Sequence, residues 1–197
     1  MKPSFVKKSQ SIYYWISKAL FAVLFKQRTT ILAEPVLGQQ YILIANHQSH
    51  ADGFMLFTAL PWRIVTHLLP TAVMGKNRYT SHPFKKFFTG PMGMFPAHRN
   101  KYYPAGLAGS RYHLEHGFSV GIFPEGRINT DKAARPHRGA AVLATQTKLP
   151  IIPVHFEWDK HRFRRSVKVV YGPAFCLIPT TDFIAASRYL MRHVYSL

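Results

Sequence analysis

The sequence predicts an α/β domain, with a mixed, largely parallel sheet flanked by helices and preceded by an amphipathic helix suited to a membrane interface. Three observations carry this. Short apolar runs of strand length recur along the chain, helix-like segments fall between most of them, and no repeat, low-complexity tract or linker divides the 197 residues. Alternation of this kind is the pattern of an α/β layer architecture. The length suits one domain with a full core.

The first element is basic and aromatic. Lys2, Lys7 and Lys8 precede the apolar stretch from Ile12 to Phe25, and Lys26 and Arg28 follow it. The stretch is 14 residues long and is interrupted by Lys18, short of the roughly 20 needed to cross a bilayer. No small-residue cleavage site follows Phe25, so the segment is not read as a signal peptide. On a helix, Ser4, Lys8, Ser11 and Lys18 share one face, and Trp15, Leu20, Phe21, Leu24 and Phe25 cover much of the rest. Two readings stand: a helix lying in the headgroup region of an anionic membrane, or a first helix packed on the core. The expected division is residues 1–30 for this helix and 31–197 for the folded domain.

Strands are expected at Tyr41–Ala45, Thr71–Met74, Met92–Phe95, Val120–Phe123, Ile151–Phe156 and Val167–Tyr171. Helices are expected at Ala51–Leu60, Pro83–Phe88, Gly106–His116, Gly139–Thr147 and Thr181–Tyr195. Pro83 suits an early helical position, and Pro61, Pro70, Pro136 and Pro179 read as turn residues.

Composition limits the partners. Lys and Arg number 26 against 8 Asp and Glu, a formal charge of +18. So positive a surface seeks phosphates, anionic lipid or nucleic acid. The chain holds roughly a third of the carboxylates an average domain would carry, so each one is informative. Its one cysteine, Cys176, excludes an intramolecular disulfide and fits a reducing compartment, hence the cytoplasmic side of a membrane. No zinc-finger or RNP-like pattern is recognised in the sequence and the basic residues are dispersed, which ranks nucleic acid low as a partner.

Two strand ends carry polar chemistry. In the first, Tyr41–Ala45 breaks into Asn46-His47-Gln48-Ser49-His50-Ala51-Asp52. A neutral His47 could take a proton from a hydroxyl, and Asp52 could hold its imidazole in one tautomer. Asp52 has a second explanation, because Ser49-His50-Ala51-Asp52 matches a capping box with Ser49 as N-cap. His47, His50 and Asp52, like His113, Glu115 and His116, lack the spacing of a helical zinc site. In the second strand end, Val120–Phe123 runs into Pro124-Glu125-Gly126-Arg127. There glycine allows close backbone approach, Glu125 can accept hydrogen bonds from hydroxyls, and Arg127 can grip a phosphate. If the two strands run parallel, both motifs meet where open α/β sheets bind ligands.

Asn46-His47-Gln48-Ser49-His50-Ala51-Asp52 followed by Phe123-Pro124-Glu125-Gly126 resembles the glycerolipid acyltransferase family related to lysophosphatidic acid acyltransferase, whose first motif is Asn-His-x-x-x-x-Asp and third Phe-Pro-Glu-Gly. Gly90 to Arg99 is similar to its second motif, and Leu149 to Val154 to its fourth. The resemblance covers residues 41–173, and Lys76 and Arg138-Gly139-Ala140-Ala141 stand where the family places similar residues. Many members follow Glu-Gly with Thr-Arg, whereas Arg127 and Ile128 follow here.

The resemblance implies acyl transfer from an acyl-CoA or acyl-ACP thioester to the free hydroxyl of 1-acylglycerol-3-phosphate, with no separate cofactor. Another lysophospholipid or glycerol 3-phosphate is the alternative acceptor. His47 would be the base and Asp52 its orienter. Arg99, Arg127 and Lys76 would bind the acceptor phosphate, with Glu125 and Gly126 completing the acceptor site and Glu125 fixing a glycerol hydroxyl or ordering the cations. Backbone amides near Gly126 or Pro153-Val154 would meet the oxyanion, and the acyl chain would run in an apolar groove. Basic nucleic-acid binding and non-catalytic lipid binding are the readings from other classes.

Overall fold

The computed structural model describes residues 2–76, 89–90, 92–97, 107–129, 135–159 and 165–197. In chain order these form α1 (Pro3–Leu24), β1 (Lys26–Ile31), β2 (Ile42–Ala45), α2 (Asp52–Thr58), α3 (Trp62–Leu68), β3 (Thr71–Lys76) and β4 (Met94–Ala97). They continue with α4 (Ala108–Glu115), β5 (Ser119–Ile122), α5 (Gly139–Thr147), β6 (Ile151–Asp159), β7 (Ser166–Tyr171) and α6 (Phe183–Tyr195). The helix expected at Pro83–Phe88 lies outside the described residues.

The seven strands make one sheet in the order β1-β7-β6-β2-β5-β3-β4. Every neighbouring pair is parallel except β6 with β7. The sheet is therefore mixed and mostly parallel, as the alternation of elements predicts. β2 lies at its centre, paired to β6 through Ala45↔Val154 and to β5 through Ile44↔Ile122. All four β2 residues are buried, which is why this strand reads as an unbroken apolar run rather than an alternating one.

The pleat sends alternate β2 residues into two cores. Leu43 and Ala45 face Met55, Leu56, Ile64 and Val65, beneath α1, α2 and α3. Ile42 and Ile44 face Ala140, Leu143, Leu190 and Val194, beneath α5 and α6. Helices thus cover both faces, and the ends of β6, β2 and β5 emerge side by side between them.

Two elements have no counterpart in the sequence reading. β1 alternates exposed and half-buried residues, with Lys26, Arg28 and Thr30 outward and Gln27, Thr29 and Ile31 inward. It is an edge strand parallel to β7, and outward cations are a usual way to blunt such an edge against further pairing. The boundary expected at residue 30 falls inside it. α3 buries Ile64, Val65 and Leu68, one helical face in seven residues, directly after the turn residue Pro61.

The first helix corrects an expectation about its polar face. Lys18 turns inward, where its Nζ donates to the carbonyls of Thr58 (2.8 Å) and Leu60 (3.3 Å) at the end of α2. A helix leaves its last carbonyls without intrahelical donors, and a cation suits that end of the dipole. Partial burial lowers the Lys18 pKa. Tyr14 adds a hydrogen bond to Leu60 O at 2.9 Å. Gln10 fastens the other end of α1, accepting from Thr71 N at 3.0 Å and donating to Met92 O at 2.9 Å. Val6, Gln10, Tyr14 and Phe21 form the packed face, whereas Ile12, Ile16, Leu20 and Val23 are exposed. The helix is both packed on the domain and apolar on its outer side.

α2 approaches the sheet closely over Gly121, where an added Cβ would meet Leu56 Cδ2 at 2.8 Å. Leu56 is fully buried and has nowhere to go. Gly121→Ala is therefore expected to destabilise the fold by about 1–3 kcal/mol through overpacking; urea unfolding that shows no loss would contradict this contact.

Candidate active site

The site begins with the way β2 ends. Asn46 is fully buried, and its side-chain amide closes a two-way pair with the backbone N–H and C=O of one residue of β6. Nδ2 donates to Phe156 O at 2.8 Å, and Oδ1 accepts from Phe156 N at 2.7 Å. A side chain thus takes over the hydrogen bonding where the β2 ladder stops, and the backbone is free to leave the sheet. Removing it leaves a buried donor and a buried acceptor unpaired, at about 1–3 kcal/mol each.

His47, the next residue, is held through its backbone from the β5 side. Its N–H donates to Glu125 Oε2 at 2.8 Å, and its carbonyl accepts from Asn129 N at 2.6 Å. Its ring lies 4.6 Å from that of Phe123, tilted by 34°. Nδ1 is 3.0 Å from Asp52 Oδ2. The side chain is 18% exposed and that of Asp52 is 0% exposed.

Asp52 is surrounded by donors. Oδ2 also accepts from the backbone N–H of Gln48 and Ser49, both at 2.7 Å, and Oδ1 accepts from Trp158 Nε1 at 2.8 Å. With the carboxylate as the acceptor throughout, His47 Nδ1 must carry the proton, and Nε2 is left as the basic nitrogen. Nε2 has no protein partner among the described residues. The pair can therefore accept a proton from a hydroxyl placed against Nε2.

Orientation and capping coexist in Asp52. Its carboxylate reaches back to Ser49 N as a capping box requires. The other half differs, because Ser49 Oγ accepts weakly from Ala51 N at 3.3 Å and Ala51 stands as the N-cap.

Phe123-Pro124-Glu125-Gly126 forms a β-turn closed by Gly126 N to Phe123 O at 2.9 Å, with Gly126 at φ +63°. Proline second and glycine fourth are the preferred residues of a type I turn. The sequence reading sets Glu125 against the acceptor. In the structure it is 3% exposed, and its oxygens receive His47 N, Asn129 Nδ2 (2.7 Å) and the Tyr195 hydroxyl of α6. The carboxylate thereby orders the His47 backbone, and the Gly126 amide, near which oxyanion donors are expected, donates to Phe123 O. Arg127, just after the turn, is exposed. Arg99 lies outside the described residues, and of Lys76 only its backbone, the last residue of β3, is described. Among the described residues no group of three or more His, Cys, Asp or Glu gathers as metal ligands.

The sequence reading missed Asn129, Trp158 and Tyr195 at this site. Trp158 is the one with a signal: an indole two residues beyond the apolar run Ile151–Phe156, on the strand adjacent to β2.

A groove of about 670 Å³, counted to its open mouth, adjoins the start of α2. His50 and Gly53 border it, and Tyr13, Phe54, Phe57, Val65, Leu69 and Met94 make its lining apolar.

A histidine–carboxylate pair at the end of a central parallel strand, beside an apolar groove, has the geometry of a general-base centre for a partly apolar substrate. The acyltransferase family model matches residues 24–157, and the chain belongs to that family. Among solved structures it is similar to the 1-acyl-sn-glycerophosphate (LPA) acyltransferase PlsC from Thermotoga maritima. That match has a TM-score of 0.67 and 18% identity, covering 95% of this chain and 78% of that one. The likeness establishes a shared fold.

Asn46→Ala is expected to lower stability by about 2–6 kcal/mol, the sum of two unpaired buried groups. Urea unfolding measures it, and a change below about 1 kcal/mol would refute the staple's role.

Proposed function

We propose that the protein is an O-acyltransferase that moves a fatty acyl group from an acyl-CoA or acyl-ACP thioester to the free hydroxyl of 1-acylglycerol-3-phosphate, giving phosphatidic acid. The observation that carries the reading is the His47–Asp52 pair, with Nε2 open, beside an apolar groove.

The acceptor oxygen attacks the thioester carbonyl while its proton passes to His47 Nε2. The C–S bond then breaks, the ester C–O bond is complete, and the thiolate takes a proton to leave as free thiol. Asp52 stabilises the imidazolium as it forms, without itself being protonated. General-base assistance is worth about 10²–10⁴ in rate. The acyl chain lies in the groove beside α2. Arg127, Arg99 and Lys76 bind the acceptor phosphate, and Glu125 and Gly126 serve by building the turn whose carboxylate holds the His47 backbone.

The outer face of α1 supports association with an anionic membrane, on its cytoplasmic side. Phe5, Ile12, Trp15, Ile16, Leu20 and Val23 are all more than half exposed, with Lys2, Lys7 and Lys8 at the start of the helix and Lys26 and Arg28 just past it. No described helix is long and apolar enough to cross a membrane. Each cation near an anionic leaflet adds about 1 kcal/mol.

Purified protein given lysophosphatidic acid and a long-chain acyl-CoA should release free thiol, and His47→Ala should lower the rate at least about 100-fold with the circular dichroism spectrum unchanged. Other lysophospholipids and glycerol 3-phosphate serve as rival acceptors. A folded sample that releases thiol with none of them, from either donor, would sink the proposal. Combining Ile12→Ser, Ile16→Ser and Leu20→Ser should abolish co-sedimentation with phosphatidylglycerol vesicles while leaving the melting temperature in place. Undiminished sedimentation would assign membrane binding elsewhere.

A further inference from the structure

We infer that Trp158 is a positioning residue for this site: its indole N–H fixes the rotation of the Asp52 carboxylate, and through it the direction of His47. The inference rests on the reading of His47 and Asp52 as base and orienter.

A carboxylate on a short side chain can turn about its last torsion, which is broad and roughly two-fold. Asp52 Oδ2 is crowded by three donors, Gln48 N, Ser49 N and His47 Nδ1. The carboxylate is planar, so a turn about that torsion moves both oxygens together, and two of these donors belong to the local turn. Among the described residues the other oxygen, Oδ1, has one partner, Trp158 Nε1 at 2.8 Å. That bond opposes a turn of the plane from the side that the local donors do not reach. It comes from β6, the strand beside β2, so it ties the carboxylate to the rigid part of the fold.

Trp158 is itself held at three points. Its backbone N–H donates to Gln48 Oε1 at 3.1 Å, which links it to the turn carrying His47. It pairs with Val167 across the β6–β7 ladder. Its ring meets Phe25 edge-on, with centroids 5.2 Å apart, where α1 gives way to β1. An indole anchored on this many sides loses little freedom when it donates, and it fills the space beside Asp52 where water would otherwise reach Oδ1.

Two substitutions separate the donor from the bulk. The ring nitrogen Nε2 of histidine occupies the place of the indole Nε1, so Trp158→His keeps a donor and loses the six-membered ring. Trp158→Phe keeps an aromatic ring and loses the donor. A positioning role predicts that Trp158→Phe lowers kcat about tenfold with little change in KM, the loss of a hydrogen bond to a charged group. Trp158→His should keep most of kcat while lowering the melting temperature. The opposite pattern, with kcat following bulk, would make Trp158 a packing residue and overturn the inference.

A double-mutant cycle adds a sharper test. In Asp52→Asn the amide can present its oxygen to Gln48 and Ser49 only by turning its NH2 toward the indole N–H, donor against donor. Adding Trp158→Phe to Asp52→Asn should therefore cost no further activity, and additive losses would refute action through Asp52. If Asp52→Asn retains full activity, the base-and-orienter reading fails first, and independently. A readout without turnover completes the test: of the indole resonances of Trp15, Trp62 and Trp158, the one absent in Trp158→Phe should move in Asp52→Asn. If it stays in place, Trp158 does not bond the carboxylate and the inference is wrong.

Discussion

The site depends on one termination. β2 is the central strand, paired on both sides, and a strand so placed cannot simply turn aside, since each departing peptide would leave neighbours without partners. Asn46 resolves this by offering its amide to both the N–H and the C=O of Phe156. Aspartate would supply two acceptors and no donor, leaving Phe156 O unpaired beside a buried charge, and serine would be too short to bond both groups. Once the ladder is closed by a side chain, the His47 backbone can bond to Glu125 and Asn129 from the neighbouring strand's end. His47 therefore stands between two parallel strands, tied to each.

Asp52 shows why capping and orientation need not compete. A carboxylate has about four lone-pair sites, and those of Asp52 are divided among the turn, the imidazole and an indole. The bonds that begin α2 also hold the oxygen facing His47, so the helix start and the imidazole are placed by one group. α2 is held at its far end as well, where Lys18 bonds its last carbonyl, Thr58 O, and Lys18 and Tyr14 both bond Leu60 O just beyond it. A helix of seven residues has little stability of its own. Here it is fixed at its first carboxylate and at its last turn by other parts of the chain.

Much of this architecture was legible in the sequence because its signals are local. The central strands are unbroken apolar runs, and α5 and α6 are bounded by turn residues, so the α/β class and most elements follow from pattern. β1 escaped notice because two of its three outward residues, Lys26 and Arg28, are cations that continue the basic tract after α1, and only Thr29, Thr30 and Ile31 hint at a strand. The site was half legible for the same reason. His47 and Asp52 lie five apart in one motif, and Glu125 stands in another, but its role depends on Asn129 and on Tyr195 at the far end of the chain. Trp158 reaches Asp52 over 106 positions. Contacts of that separation exist only once the β6–β2 register is set, and neither composition nor periodicity encodes them.

The charge balance also gains a physical account from the carboxylates. Asp52 and Glu125 are buried among donors and contribute little to the surface potential. Asp182 caps α6 through Ile184 N and Ala185 N, Glu34 forms a forked pair with Arg63, and Glu157 lies 4.0 Å from Lys168. Most of the eight acids are thus tied to particular positions, and few remain to offset the 26 cations. The excess positive charge is a property of the surface, not of the dyad. Beyond a Debye length of about 8 Å at physiological salt, such a field is screened. Such a field therefore acts on an anion only at close range.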